Sequence, residues 1–268
     1  IASAQVKSAL LLAGMQTEGT TTVYEPHLSR DHSERMLRSF GADLESFAGG
    51  VKVTGRVQLQ GCEVDVPGDI SSAAFFLVAA LIVPDSELLL KNVGVNPTRS
   101  GIIDILQQMG GSVELTNRRE LSGEPVADLL VKSSDLRGVE IGGDLIPRTI
   151  DEFPVVSVAA AFAEGITTIR DAKELRVKET DRIAAMCESL GGLGVDIVPR
   201  DDGMQIVGGK ALRGGLVNSF GDHRIAMSMA VAALGSATEI EIKDTACTET
   251  SFPGFWELLT NLSKDGLS

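Results

Sequence analysis

The sequence has few of the residues that build metal centres, disulfide frameworks or aromatic cores. Its 268 residues include three Cys, three His, one Trp and one Tyr. The cysteines have no Cys-x-x-Cys spacing, which argues against both a zinc site and a disulfide framework. We expect Cys187 to pack on a helix as a small apolar side chain, and reduced cysteines fit a cytoplasmic protein.

Positive charge is also scarce. The chain has 24 Lys and Arg against 37 Asp and Glu, a formal net charge of −13. This balance argues against nucleic acid or a membrane surface as a partner. No signal peptide is visible, and the longest apolar run, 73–83, is too short to span a bilayer. The sequence starts without Met and enters a helical pattern at once, so we expect a fragment or a processed chain.

The sequence does contain an internal repeat with a period of about 75 residues. Ala-rich segments that begin with a small or acidic residue predict helices over 3–12, 71–83, 151–162 and 222–234. Ser and Asp suit these starts because their side-chain oxygens accept the free amide hydrogens of the first turn. A β-rich strip follows each helix, over 20–24, 87–93, 165–170 and 238–243.

A second helix, a strand and a hairpin-like ribbon complete each of the first three units. The second helices end in glycines that we expect in the left-handed C-cap conformation: Gly41, Gly110 with Gly111, and Gly191 with Gly192. The pattern predicts an α/β (α+β) fold of repeated β-α-β-α-β-β subdomains around buried helices. A doubly wound sheet is the alternative, but such sheets alternate strand and helix and have no recurring ribbon.

The densest cluster of charge covers residues 173–182. If a helix begins near Lys178, then Lys178 and Arg182 lie four residues apart on one face. Two cations beside the free amides of a first turn form an anion site. Cations at this end are unfavourable for the helix itself, so function explains them better than stability does. The alternative is a solvated ladder of salt bridges.

Other candidate residues stand at the starts of predicted helices. Asp222, His223 and Arg224 open the fourth helix. An unpaired charge in an apolar helix is costly, so Arg224 should face a carboxylate or a phosphate. His223 is either structural or part of a site. Asp151 is either a helix cap or a carboxylate that accepts hydrogen bonds from a substrate hydroxyl.

The first helix opens with Ser3, Ala4 and Gln5, and Ser3 and Arg30 together could cradle a phosphate. The sequence contains no P-loop, no Gly-x-Gly-x-x-Gly fingerprint and no His-Glu-x-x-His motif. We therefore expect no nucleotide, no metal and no cofactor.

Taken together, these motifs resemble the EPSP synthase family, the 3-phosphoshikimate 1-carboxyvinyltransferases, in order and along the whole chain. The residues that carry the resemblance are Ser3-Ala4-Gln5, Gly68-Asp69, Ser71-Ser72-Ala73, Asp151, the stretch 176–182 and Asp222-His223-Arg224. The stretch 29–32 is most similar to the glyphosate-tolerant, class II-like bacterial branch.

The resemblance implies an inside-out α/β barrel of repeated subdomains around buried parallel helices, in two domains that close over the substrates. Residues 1–66 would be one subdomain of the amino-terminal domain. Residues 67–268 would be the carboxy-terminal domain of three subdomains, the last completed by a missing amino terminus. This implies an inactive fragment unless the amino-terminal half is supplied, for example as a second chain.

The activity that the resemblance implies belongs to the shikimate pathway of aromatic amino-acid biosynthesis. The enolpyruvyl group of phosphoenolpyruvate is added to the 5-hydroxyl of shikimate 3-phosphate, and phosphate is then eliminated. No cofactor is implied, and glyphosate is a candidate inhibitor.

The resemblance also implies residue roles. The catalytic residues would be Asp151 and Lys178 at the 5-hydroxyl, and Glu179 as the proton shuttle at carbon 3 with His223 nearby. Phosphoenolpyruvate would be bound by Gln5, Glu179, Arg182 and Arg224. Shikimate 3-phosphate would be bound by Ser3, Ala4, Gln5, Arg30, Asp151 and Lys178.

Two positions depart from the family pattern. Thr250 stands where many relatives have a Lys, which puts one phosphoenolpyruvate contact in doubt, and Glu174 stands where some have Asn. Two rival functions remain. An enolpyruvyl transferase acting on UDP-N-acetylglucosamine shares the fold but lacks these motifs. A non-catalytic module binding an anion or a partner chain does not explain why the candidate residues stand at element starts.

Overall fold

The structure, a computed structural model, describes residues 3–265, with side chains up to Ser263. The first unit comprises α1 (Ala4–Met15), β1 (Thr20–Tyr24), α2 (His32–Ser39), β2 (Leu44–Phe47) and β3 (Gly50–Thr54). Its three strands form an antiparallel sheet in the order β1-β3-β2.

The second unit comprises α3 (Ile70–Ile82), β4 (Glu87–Gly94), α4 (Gly101–Gln108), β5 (Ser112–Leu121), β6 (Glu124–Lys132), β7 (Glu140–Ile141) and α5 (Leu145–Thr149). Strands β4, β6 and β5 form its antiparallel sheet in that order.

The third unit comprises α6 (Phe153–Phe162), β8 (Gly165–Ile169), a 3-10 helix (Lys173–Val177), α7 (Arg182–Gly192), β9 (Asp196–Arg200), β10 (Gly203–Gly208) and β11 (Gly215–Asn218). The fourth comprises α8 (His223–Leu234), β12 (Ile240–Lys243), a second 3-10 helix (Thr245–Thr250) and α9 (Phe255–Asp265).

The last strand of a unit joins the sheet of the unit that follows. Strand β7 pairs in parallel with β8, within the order β7-β8-β10-β9, and β11 pairs in parallel with β12. In the first unit the equivalent pairing is reduced to a single parallel bridge between Gly68 and Val93. These exchanges connect the units into one chain of subdomains, as the β-α-β-α-β-β interpretation requires.

Three helices form the centre of the larger core. Helices α3, α6 and α8 pack on one another, and nearly all of their side chains are buried. Their Ala-rich sequences suit this position because small side chains let neighbouring helices approach closely. The first unit has a separate, smaller core of Leu11, Met15, Val23, Leu37, Ala42, Val51 and Val53.

Helix boundaries follow the capping residues closely. The side chains of Ser3, Asp69 and Asp222 accept hydrogen bonds from amides in the first turns of α1, α3 and α8. Gly41 and Gly110 adopt positive φ angles of 85° and 88°, as expected.

The prediction for the third glycine pair was wrong. Gly191 and Gly192 lie inside α7, and the left-handed residue is Gly194, with φ of 89°. The helix continues because Leu193, at its C-cap, is buried in the core. Cys187 lies on α7 and packs against the same core, as predicted, and burial raises the pKa of its thiol to about 11.

Within residues 3–265, none of the helices is both long and apolar enough to cross a membrane.

Close packing between α6 and β10 makes one glycine essential. A Cβ on Gly208 would press against the backbone oxygens of Ala160 and Ala163, which cannot move aside without shifting α6. We expect Gly208→Ala to lower the free energy of unfolding by about 1–3 kcal/mol, measured by urea denaturation.

Gly191→Ala is the matched control. Its Cβ would have Ile197 as nearest neighbour at 3.7 Å, an ordinary contact, and the position is an exposed helical one. Because Ala favours helix over Gly, this variant should be neutral or stabilised by up to about 1 kcal/mol. Equal destabilisation by both variants would contradict the packing argument.

Candidate active site

Asp151 lies where the first, third and fourth units meet. It follows α5 and precedes α6, and its side chain is 18% exposed. The Arg30 Nη2 atom is 2.5 Å from one carboxylate oxygen, and the Arg182 Nη1 atom is 3.8 Å from the other. The expected start of the third helix at Asp151 was wrong: α6 begins at Phe153, and Asp151 makes no capping bond to it.

The electrostatic environment keeps Asp151 ionised. Burial alone would raise the pKa of this carboxyl, but the positive charges of Arg224, Arg30 and Lys178 outweigh burial and lower its pKa to about 2. A permanently charged carboxylate in a cationic surrounding can accept hydrogen bonds from a polar ligand at any physiological pH.

Arg182 is the most deeply buried cation of the site. Its side chain is 1% exposed, its Nε donates to the Asp222 carboxylate at 2.8 Å, and its Nη2 donates to Glu179 at 2.6 Å. Its Nη1 has no hydrogen-bond partner within the described part of the chain. An unpaired buried N–H is costly, and the nearest carboxylate oxygen of Asp151 lies 3.8 Å from Nη1, too far for a hydrogen bond.

The local structure around Lys178 differs from the prediction. Residues Lys173–Val177 form a 3-10 helix, Lys178 is extended, and α7 begins only at Arg182. The two cations therefore do not share a helical face. The helix starts later because Asp181 caps it through the Ala184 amide at 3.0 Å.

Lys178 nevertheless belongs to the same site. Its charge contributes to the lowered pKa of Asp151, while its Nζ lies 2.5 Å from Glu174. Glu174, which stands where some relatives have Asn, is thus an ionic partner of the lysine. Glu179 is half exposed, so its carboxylate reaches both Arg182 and solvent.

Asp222, His223 and Arg224 open α8, as predicted. Asp222 is fully buried and accepts from the Arg224 amide at 2.8 Å, in addition to its pairing with Arg182. Burial and the neighbouring Arg224 lower the pKa of His223, which favours the neutral imidazole. The positive charge of Arg224 lowers the pKa of Asp151 and opposes the rise that burial causes in the pKa of Glu152.

Ser3, Ala4 and Gln5 stand at the start of α1. The Ser3 hydroxyl accepts from the Val6 amide at 3.4 Å and contacts the Gln5 side-chain oxygen at 3.3 Å. In the described residues, no hydrogen bond connects the three to Arg30 or Asp151. The structure thus brings together Arg30, Asp151, Lys178, Glu179, Arg182, His223 and Arg224. Among the described residues, no hydrogen bond or ion pair joins Ser3, Ala4 or Gln5 to them.

Sequence reasoning missed a buried network beside Asp151. Glu152 is buried, and burial raises the pKa of its carboxyl. It accepts a short hydrogen bond from Ser71, to which Arg99 donates at 2.9 Å. Arg99 also pairs with Asp69 at 2.7 Å. The sequence does give one indication of this network, because a second acidic residue, Glu152, directly follows Asp151.

Thr250, the substituted position, is exposed, and its hydroxyl donates to the Cys247 carbonyl at 2.7 Å. This hydrogen bond is local to the second 3-10 helix and does not involve the cluster around Asp151.

The comparisons with known proteins agree on one family. Residues 1–259 match the family model of EPSP synthase (3-phosphoshikimate 1-carboxyvinyltransferase). A 3-phosphoshikimate 1-carboxyvinyltransferase of Syntrophotalea carbinolica is 68% identical over 262 residues, covering 98% of this chain and 61% of the relative. One of Geotalea uraniireducens is 68% identical over 259 residues, covering 97% of this chain and 60% of the relative.

Solved structures give the same picture. EPSP synthase from Acinetobacter baumannii matches with a TM-score of 0.93 and 46% identity, over 98% of this chain and 61% of that one. The enolpyruvyl transferase NikO from Streptomyces tendae matches at 0.77 and 23% identity, over 94% and 57%, a likeness of fold alone. The chain spans about three fifths of the length of the curated relatives it matches.

The pairing of Arg182 with Asp222 can be tested separately from helix capping. In Asp222→Asn the amide oxygen can still cap α8, but Arg182 loses a buried counter-charge. We expect the free energy of unfolding to fall by about 3–5 kcal/mol, measured by urea denaturation.

Glu45→Gln is the control for this variant. It breaks the 2.8 Å pair between Lys52 and Glu45, in which Glu45 is 66% exposed, so the loss should stay below about 1 kcal/mol. A similarly small loss for Asp222→Asn would show that the fold does not depend on the buried pair of Arg182 and Asp222.

The lowered pKa of Asp151 predicts a pH dependence. Because this pKa is about 2 in the folded chain and 3.8 ordinarily, ionised Asp151 stabilises the fold above pH 3.8 and loses that effect as the pH falls towards 2. The difference in unfolding free energy between the wild type and Asp151→Asn should shrink by roughly 2 kcal/mol over this range.

The measurement is urea denaturation at a series of pH values from 6 downwards. Asp144→Asn removes an exposed carboxylate and should give a difference from the wild type that hardly changes with pH. A pH-independent difference for Asp151→Asn would show that the arginines do not hold its charge.

Proposed function

The chain belongs to the EPSP synthase family, and on this premise we propose that it forms one wall of the active site of a 3-phosphoshikimate 1-carboxyvinyltransferase. The whole protein transfers the enolpyruvyl group of phosphoenolpyruvate to the 5-hydroxyl of shikimate 3-phosphate. One observation supports this above all: an ionised Asp151 stands among Arg30, Lys178, Arg182 and Arg224, cations from different units. Such a site suits two substrates that carry phosphate and carboxylate groups and one reactive hydroxyl.

The proposed acceptor side is Asp151 with Lys178. The Asp151 carboxylate accepts a hydrogen bond from the 5-hydroxyl, which orients the oxygen and increases its nucleophilicity. The Lys178 ammonium stabilises the negative charge that develops as the O–H bond weakens. The oxygen then attacks carbon 2 of phosphoenolpyruvate as its proton passes to the Asp151 carboxylate. A proton from Glu179 adds to carbon 3, which gives a tetrahedral adduct.

The proposed donor side is Gln5, Glu179, Arg182 and Arg224. Guanidinium groups match the oxyanions of phosphoenolpyruvate in shape and charge, and the Nη1 of Arg182 has no partner in the described residues. Glu179 supplies the proton to carbon 3 and takes one back as phosphate leaves. His223, whose pKa is lowered by burial and by Arg224, lies near it as a second group able to exchange protons.

The proposed phosphate site for shikimate 3-phosphate is Ser3, Ala4, Gln5 and Arg30. The Ser3 hydroxyl and the first-turn amides of α1 are donors that favour an anion at a helix N-terminus. The pairing of Arg30 with Asp151 supports a phosphate site close to the reacting hydroxyl.

The remaining parts of the proposal concern the rest of the protein. We take residues 1–66 as part of an amino-terminal domain and 67–268 as the carboxy-terminal domain, supported by the two separate cores. The two fifths of the relatives' length that this chain does not cover would be the amino-terminal part of the enzyme, in the same or a second chain. Family membership and the free cysteines support a location in the cytoplasm. Inhibition by glyphosate stays a prediction, and so does membership of the class II-like branch.

The test is phosphate release by a complete enzyme. We would join this chain to the part of the Syntrophotalea carbinolica relative that it does not cover and measure phosphate from phosphoenolpyruvate. Release is expected only when shikimate 3-phosphate is present. Release with UDP-N-acetylglucosamine instead of shikimate 3-phosphate would contradict the proposal. A chimera that releases no phosphate with either acceptor would contradict it as well.

The role of Asp151 has its own test in the same chimera. Asp151→Asn should lower kcat by about 100-fold or more, because the hydroxyl loses its acceptor. Asp144→Asn, at an exposed helix start, should leave kcat within about twofold. A fully active Asp151→Asn enzyme would remove Asp151 from the mechanism.

A further inference from the structure

A buried lysine in α1 stands apart from the cluster around Asp151. The Lys7 side chain is 3% exposed, and its Nζ lies 3.1 Å from Glu25 and 2.7 Å from Glu34. Both carboxylates are also buried, with 9% and 4% of their side chains exposed. One ammonium therefore serves two buried carboxylates, and the group carries net negative charge.

Stability alone is a poor reason for such a group. Desolvation of buried charges offsets much of their attraction, so apolar residues of similar size often serve as well. The next turn of α1 shows this solution: Leu11, four residues after Lys7, is completely buried in the small core. The charged group at Lys7 calls for another explanation.

The two carboxylates differ in what else they hold. The second oxygen of Glu25 accepts hydrogen bonds from the Ser29 amide at 3.2 Å and from the Ser29 hydroxyl at 2.5 Å. Lys7 itself donates to the Ser29 carbonyl at 3.4 Å. The second oxygen of Glu34 has no hydrogen-bond partner in the described part of the chain. Of the two carboxylates, only Glu25 accepts hydrogen bonds from Ser29, which lies in the loop between β1 and α2.

This loop carries Arg30, the residue after Ser29. The Arg30 guanidinium crosses from the first unit to the third and meets Asp151 at 2.5 Å. Lys7 also lies one turn after Ser3, to whose carbonyl its amide donates at 3.0 Å. The buried lysine thus sits between the two segments to which the proposed function assigns the phosphate of shikimate 3-phosphate.

We propose that Glu25, held by Lys7, is a positioning residue that fixes Ser29 and so directs Arg30 to the phosphate of shikimate 3-phosphate beside Asp151. This inference rests on the proposed function. Glu25 makes no contact with substrate. It acts by limiting the positions that the Arg30 side chain can take, so its loss should weaken the binding of one substrate and leave the chemical step intact.

The experiment compares Glu25→Gln with Glu34→Gln in the complete chimera. Both changes preserve shape, both are buried, and both remove a negative charge from the same Lys7. Only Glu25→Gln disturbs the hydrogen bonds to Ser29. It should raise the KM for shikimate 3-phosphate about tenfold, with kcat and the KM for phosphoenolpyruvate within about twofold of the parent.

Glu34→Gln should leave all three constants within about twofold of the parent. Equal effects of the two variants, or a rise of both KM values in Glu25→Gln, would overturn the positioning role, because the cause would then be general loosening of the first unit. An unchanged KM in Glu25→Gln would overturn it as well.

Ser29→Ala covers the case in which Glu25→Gln does not fold. It removes the 2.5 Å hydrogen bond to Glu25 but leaves Lys7 with both carboxylates. A rise of about threefold or more in the KM for shikimate 3-phosphate is expected, and no rise would overturn the inference. An inactive parent chimera would instead contradict the proposed function, and this inference with it.

Discussion

The burial of one arginine determines how the units around the candidate site are arranged. Arg182 is almost completely inaccessible to water, and a buried guanidinium is tolerable only with carboxylates around it. Asp222 supplies one from the start of α8, Glu179 supplies one from the loop before α7, and Asp151 lies slightly further away before α6. The amino-terminal ends of three helices therefore have to converge on a single point. The candidate active site lies at this point of convergence around Arg182.

The same pairing recurs along the chain. In each of the first three units an arginine near the start of the second helix meets an acidic residue at the start of a first helix. These pairs are Arg30 with Asp151, Arg99 with Asp69, and Arg182 with Asp222. Because two of the three pairs connect different units, the repeat itself provides the charges that hold the subdomains together. The proposed site uses the structural ion pairs of the repeat.

Periodic features of the sequence predicted the fold well. They predicted repeated subdomains around buried helices, because apolar period and capping residues are local signals. The inside-out barrel was implied by the family resemblance, and the likeness to the Acinetobacter baumannii enzyme confirms it. Predictions failed where tertiary contacts decide. Lys178 looks like a helical residue, yet Asp181 is the better cap. The burial of Lys7 with two carboxylates, like that of Glu152, cannot be predicted from the sequence, since each partner lies on another element.

The local sequence also explains why Asp151, rather than its counterparts, can serve a substrate. Asp69 and Asp222 each use a carboxylate oxygen to cap their own helix, so their lone pairs are committed to backbone amides. Helix α6 starts with Pro154 in its first turn, and proline has no amide hydrogen to be capped. The N-cap residue of α6 is Glu152, which makes no side-chain capping bond, and Asp151 stands one residue further from the helix. One oxygen meets Arg30, and the other has the Arg182 Nη1 atom 3.8 Å away and accepts no hydrogen bond from the described residues. Asp151 therefore lacks the capping role that commits Asp69 and Asp222 to backbone amides.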